Sequence, residues 1–307
     1  MKFSRCAIFL FVALLFSQIS RAGTLVTFHF FFGVNDYLGD VDVELYDQDK
    51  PVTVNNFLKL IEAGAYNNSF FHRLQPGFVL QGGGYGAFNP FLTNVVAPAN
   101  YTNLFSVGNF GNITNEFKVG KFYSNTNWTI AMAKSSDPNS ANSQFFFNLA
   151  NNASSLDSTN NAGGFTVFGH TLRGTNILND FNSLYYGHGL FDLQTNYGAN
   201  GALFTQLPAN WSGTNSAPYD DLVYFTISLL SEQVKVQTNG SRQISWNFVN
   251  GLTNNLEFST NLPPVWHVLT NIYLGTNNIS TTNYVDSATN RTRFYRVHVL
   301  YPNTPPD

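Results

Sequence analysis

At 307 residues, 43% of them hydrophobic and 16% aromatic, the chain can fill a sizeable core in one large domain or two smaller ones. Only 11% are charged, against roughly 25% in ordinary soluble domains, so Asn, Ser and Thr must cover much of the surface. A net charge of −3 without basic clusters argues against nucleic acid and anionic membranes as partners.

The chain opens with MKFSRCAIFLFVALLFSQISRAG. Lys2 and Arg5 precede an apolar run from Ala7 to Phe16, and Ser20 and Ala22 offer the small residues that a signal peptidase reads. That run of about ten residues is half the roughly 20 needed to span a bilayer as a helix. We therefore expect a signal peptide over 1–22, export to the periplasm or the medium, and no membrane insertion afterwards. Its removal takes away Lys2, Arg5 and Arg21 but no acid, leaving twelve bases against eighteen acids and a net charge of −6. Cys6, the single cysteine, leaves with it, so the mature chain would have neither disulfide nor thiol nucleophile.

TLVTFHFFF (24–32) is a β-rich run suited to a buried strand, and VDVELY (41–46) alternates strictly. Val41, Val43 and Leu45 would face the core; Asp42 and Glu44 would lie with Asp40 on a solvated face. PVTVNNFLKLIEAG then reads as a helix, with Pro51 at its start, Thr53 as N-cap, an apolar stripe of Val54, Phe57, Leu58 and Ile61, and Gly64 as its left-handed stop. Strands are expected at 70–74, 78–82, 128–133, 144–149, 166–172 and 222–230. A second helix, over TNILNDFNSL, would turn Ile177, Leu178, Phe181 and Leu184 inward. Many antiparallel strands with two helices imply a closed barrel. Residues 84–115 and 186–220, rich in Gly, Asn and Pro, read as long loops. From residue 233 onward short strand runs alternate with turn residues, which points to a small all-β, sandwich-like module over 233–307.

The run FFHRLQPGFVLQGGG (70–84) raises a chemical question, because it holds a guanidinium among aromatic and aliphatic side chains. A buried Arg with no adjacent acid is costly, and the nearest acid in sequence, Glu62, is eleven positions away. The surrounding residues answer it. LGDVDVELYDQDKPVTVNNFLKLIEAGAYNNSFFHRLQPGFVLQGGG, TIAMAKSSDPNSANSQFFFNLA and FTVFGHTLRGTNILNDF occur in that order. Together, across residues 38–172, they resemble the cyclophilin family of peptidyl-prolyl isomerases, and SSDPNSANSQFF resembles its bacterial exported branch.

The resemblance implies a mainly β protein: a closed eight-stranded antiparallel barrel capped by two helices over 23–232, with long insertions at about 84–115 and 186–220. It implies isomerisation of X–Pro bonds without cofactor or metal, on unfolded or extended proline-containing polypeptides, by a monomer. By matching position, Arg73 is the catalytic residue. Phe78, Val79 and Phe146 hold the proline ring, Gln81 orients the arginine, and His72, Ala133, Gln144, Leu156 and Phe165 complete the groove. Two positions depart from many cyclophilins. Ser155 stands where a rim tryptophan is common and Phe165 where a histidine is common. The serine puts cyclosporin binding in doubt more than catalysis.

Other chemistries lack their patterns. The six histidines are scattered, without metal-ligand spacing, and QGGGYG has no following lysine, so it reads as a turn. The alternative from another class is a proline-peptide binding module or holdase that kept the groove and lost turnover. A third reading makes the C-terminal module the working part and the barrel its scaffold.

Overall fold

The computed structural model describes residues 23–33, 36–93, 102–186, 188–193, 204–210, 217–230, 232–247, 253–261, 264–273, 281–288 and 292–300. The expected signal segment, 1–22, lies outside them. Strand β1 (Leu25–Phe32) turns Val26, Phe28 and Phe30 inward, each at most 1% exposed, and β2 (Asp36–Leu45) pairs antiparallel with it and adds the fully buried Val41, Val43 and Leu45. Helix α1 (Pro51–Glu62) follows, then β3 (Ser69–Phe70), β4 (Arg73–Gln75), β5 (Val79–Gly82), β6 (Tyr85–Ala87), β7 (Leu104–Ser106), β8 (Thr129–Met132) and β9 (Phe145–Asn148). A single-turn helix, α2 (Ala153–Leu156), precedes β10 (Val167–Arg173) and α3 (Thr175–Asp180). Next come β11 (Tyr185–Tyr186), β12 (Gly189–Phe191), β13 (Leu207–Pro208) and β14 (Val223–Leu229).

The sheet closes on itself. Ser69–Gln75, comprising β3 and β4, is one run with two partners. One side bonds β14, through the Phe70–Tyr224 pair and the Phe71 N–H donating to Val223 O at 2.9 Å. The other side bonds the return run of β5 and β6, where Arg73 pairs with Gln81 and Phe70 with Tyr85. From there the ladder passes through β9, β8, β10, β2 and β1 back to β14, giving an eight-stranded antiparallel barrel when β3/β4 and β5/β6 each count once. Closure leaves that wall without an open edge.

Phenylalanines fill the interior. Phe28, Phe71, Phe145, Phe147 and Phe225 are fully buried, with ring centroids from 4.7 to 6.4 Å apart among the close pairs. Helix α1 inserts Val54, Phe57 and Leu60 into this core, and α3 with the turn after it adds Leu178 and Phe181. One expectation for α1 changes and one holds. Thr53 is not the N-cap: the helix begins at Pro51, and the Val52 and Thr53 N–H groups donate to the Glu116 carboxylate at 3.1 and 2.7 Å. Gly64 does stop the helix, at φ +67.

The acids on β2 are not a solvated face. Asp42 is 1% exposed, because register sets it beside Arg173 of β10, whose Nε lies 2.7 Å away, and the Thr27 hydroxyl donates to it at 2.7 Å. Nor are the two insertions merely loops. The first adds β6 and β7 to the sheet; the second forms β11, β12 and β13. Both pack on the barrel's outer surface in one apolar cluster that includes Phe70, Ala87, Phe191, Phe204, Leu207, Tyr219 and Tyr224. Beyond β14, strands β15 (Glu232–Val236), β16 (Arg242–Asn247) and β19 (Thr281–Asp286) form one three-stranded sheet. Strands β17 (Thr253–Ser259), β18 (His267–Tyr273) and β20 (Phe294–Leu300) form another. Ile244, Trp246, Leu256, Val297 and Val299 make their common core, against which Leu25, Leu172 and Leu230 also pack.

Candidate active site

The β4–β5 hairpin sets the geometry. Gln75 pairs with Val79, and the Phe78 N–H donates to Gln75 O at 2.9 Å across Pro76-Gly77. Gly77 sits at φ +68, the left-handed angle needed at the third position of a type II turn, with proline favoured just before it. Alternation along β4 then places Arg73 and Gln75 on one side of the strand. The half-buried Arg73 donates from Nη2 to Gln75 Oε1 at 2.8 Å. Burial lowers its pKa, partly opposed by Tyr186.

Next to the arginine lies a groove of about 630 Å³ lined by Arg73, Phe78, Val79, Gln81, Ala133, Gln144, Phe146, Leu156 and Phe165. Its apolar end has Val79, Phe146 and Leu156, each at most 5% exposed, with Phe165 meeting Phe146 edge-on at 6.0 Å. Polar groups behind the wall hold it in place. Asn152 Nδ2 and the Leu149 N–H both donate to Phe78 O at 2.8 Å, and the Phe165 N–H donates to Leu156 O at 2.9 Å. Gln81 donates to Gln144 Oε1 at 2.8 Å, so the amide expected to orient the arginine is bonded to the residue that leads into the neighbouring strand β9.

Nine of the ten residues singled out from the sequence therefore line the groove. His72 stands behind it, 5% exposed, edge-on to Tyr85 at 5.2 Å and hydrogen-bonded to Gln144. Burial, aided by the Arg73 charge, pushes its pKa down to about 4, so it is neutral at pH 7. Ser155 is exposed and bonds back to Asn152 O at 3.3 Å, outside the groove lining.

Sequence reasoning missed the other five lining residues: Asn112, Lys134, Ser135, Ser140 and Asn142. Lys134 directly follows Ala133, and its Nζ lies 4.7 Å from the Phe165 ring centroid and donates to Ala162 O. That adjacency was the available signal. Asn112 comes from the first insertion, which an isolated β-bridge from Ile113 to Ala141 brings across to the groove. Among the described lining residues only Arg73 and Lys134 carry charge, both positive. The site thus offers an apolar slot flanked by a guanidinium and amide donors. No cluster of metal-ligating side chains occurs among the described residues.

Known proteins are similar to this chain. The family described as "Cyclophilin type peptidyl-prolyl cis-trans isomerase/CLD" matches residues 29–192. A peptidyl-prolyl cis-trans isomerase of Acinetobacter baylyi is 32% identical over 165 residues, 54% of this chain and 75% of that protein. Peptidyl-prolyl cis-trans isomerase B of Escherichia coli is 32% identical over 169 residues, 53% of this chain and 87% of its own length. Among solved structures, a cyclophilin-type isomerase of Cryptosporidium parvum, studied in the presence of the dipeptide Ala-Pro, aligns with 67% of this chain and 99% of its own at 21% identity and a TM-score of 0.41. The chain belongs to the family of cyclophilin-type peptidyl-prolyl cis-trans isomerases.

Proposed function

We propose that this isomerase is exported and acts on extended X–Pro segments of envelope or secreted proteins, with Arg73 as its catalytic group. The observation that supports this most is the half-buried guanidinium beside an apolar slot whose described lining contains no carboxylate to neutralise it. Rotation about a peptide bond is opposed by roughly 18–20 kcal/mol, because the nitrogen lone pair is delocalised into the carbonyl. In the twisted state the nitrogen recovers that lone pair. A donor aimed at it then binds the transition state better than either planar ground state. The apolar walls hold the proline ring and exclude the water that favours the planar, polar amide. Arginine suits the task because its charge is permanent and its donors form a planar fork.

The test is NMR exchange on a short X–Pro peptide with the chain from residue 23. Arg73→Ala should lose about 10²–10³ in kcat, the cost of removing one transition-state donor. Lysine at 73 should recover little, since it lacks the fork. Unchanged exchange in Arg73→Ala would overturn the assignment. The exposed Ser155 favours a second reading, a proline-peptide reader without turnover, which predicts peptide binding with no acceleration even in wild type. Export is tested by the N-terminus of the mature chain, expected at residue 23. We also infer that 233–307 is a separate module, appended to a catalytic domain over 23–232.

A further inference from the structure

We propose that Gln75 is the positioning residue for Arg73: a neutral carbonyl clamp carried on the same hairpin as the slot it serves. The inference rests on Arg73 being the catalytic group and goes beyond it. Resemblance assigns the orienting part to Gln81, but the Gln81 amide bonds Gln144, 2.8 Å away, whereas Arg73 Nη2 bonds Gln75 Oε1 at the same distance.

Three features suit Gln75 to this work. It shares a strand face with Arg73, two residues along β4. Its backbone is fixed three times over: by the pair with Val79, by its carbonyl accepting from the Phe78 N–H, and by the following Pro76, which holds it extended. Phe78 and Val79 are themselves walls of the slot, so arginine, clamp and walls move as one body. The Gly77 N–H ties the hairpin tip to Asn182 Oδ1 at 2.8 Å.

The clamp's chemistry matters as much as its position. An amide oxygen takes one of the five guanidinium protons and leaves the positive charge intact. A carboxylate there would hold the fork equally well but would neutralise the charge that the twisted nitrogen needs.

The experiment uses the chain from residue 23, with kcat and KM from peptide exchange at pH 7 and NMR of the Arg73 guanidinium. Gln75→Leu should lower kcat about ten- to a hundredfold through misplacement of the fork, with KM within about twofold. Its Arg73 Nη signals should merge through free rotation where those of wild type stay resolved. Gln75→Glu should be slow at pH 7, because the paired carboxylate stays ionised beside the guanidinium and neutralises its charge. Unchanged kcat in Gln75→Leu would overturn the proposal. So would a rise confined to KM, or a Gln75→Glu kcat equal to that of wild type, which is what a purely structural role gives. If wild type has no activity, the catalytic reading fails first. The clamp is still judged by NMR, and identical Arg73 signals in wild type and Gln75→Leu would refute it.

Discussion

Replacing Glu116 by alanine should destabilise the protein by about 2–4 kcal/mol, the cost of leaving two helix N–H donors without their acceptor. Helix α1 has no side-chain cap of its own. Its first free N–H groups, on Val52 and Thr53, are bonded by the Glu116 carboxylate, which is also suited to the positive end of the helix dipole. Lys50, 1% exposed, donates to Glu116 O at 3.0 Å. Burial pushes the Lys50 pKa down, while the charges of Glu116 and Asp49 support its protonated form. Glu116→Ala therefore strands two donors at about 1–3 kcal/mol each and removes one of the two negative charges that support the Lys50 ammonium. Glutamine keeps one acceptor and should cost about half as much. Urea unfolding at pH 7, followed by far-UV circular dichroism, reads both values. X–Pro exchange at low temperature should stay near wild type, because Glu116 does not line the groove. A Glu116→Ala midpoint equivalent to less than about 0.5 kcal/mol, the range of neutral surface changes, would refute the capping argument.

The remaining predictions follow from burial. His72 titrates near 4 when folded and 6.5 when not, so protons favour unfolding, and its contribution to stability falls as pH drops from 6.5 toward 4, by up to about 3 kcal/mol. The stability difference between wild type and His72→Gln should shrink by that amount between pH 7 and 4; a constant difference would count against it. Trp246→Ala should cost about 3–5 kcal/mol, raise hydrogen exchange across β15–β20, and leave catalysis intact, since Trp246 is 1% exposed in the C-terminal core. Equal exchange increases in the barrel would contradict a separate module. Phe146→Ala should raise KM at least about tenfold by deleting one wall of the slot, and unaltered peptide titrations would exclude that role.

What could be read from the sequence follows from how local each cause is. The apolar alternation in β1 and β2 and the stripe on α1 depend on neighbours, and the groove residues come in short runs with recognisable order. The errors came from distant partners. Thr53 looked like a cap because the true cap, Glu116, lies 63 positions away from it. Asp42 looked solvated because its cation, Arg173, comes from β10, which the register sets alongside β2. The insertions looked shapeless because two- and three-residue strands such as β7 and β13 are too short to show a period. Gln75 was in view throughout, two places from Arg73, but a match to a motif directs attention to the matched letters.

The pairing of β1 with β14 governs the order in which the molecule can form. His29 and Ser228 touch across that seam at a separation of 199 positions. At roughly 5–20 residues per second of synthesis, the first strand waits on the order of 10–40 s for its second neighbour. Until then Val26, Phe28 and Phe30 have only β2 beside them, and the barrel has nothing to shut against. A topology that postpones closure to its last strand keeps the nascent chain loose until nearly the whole barrel has been made.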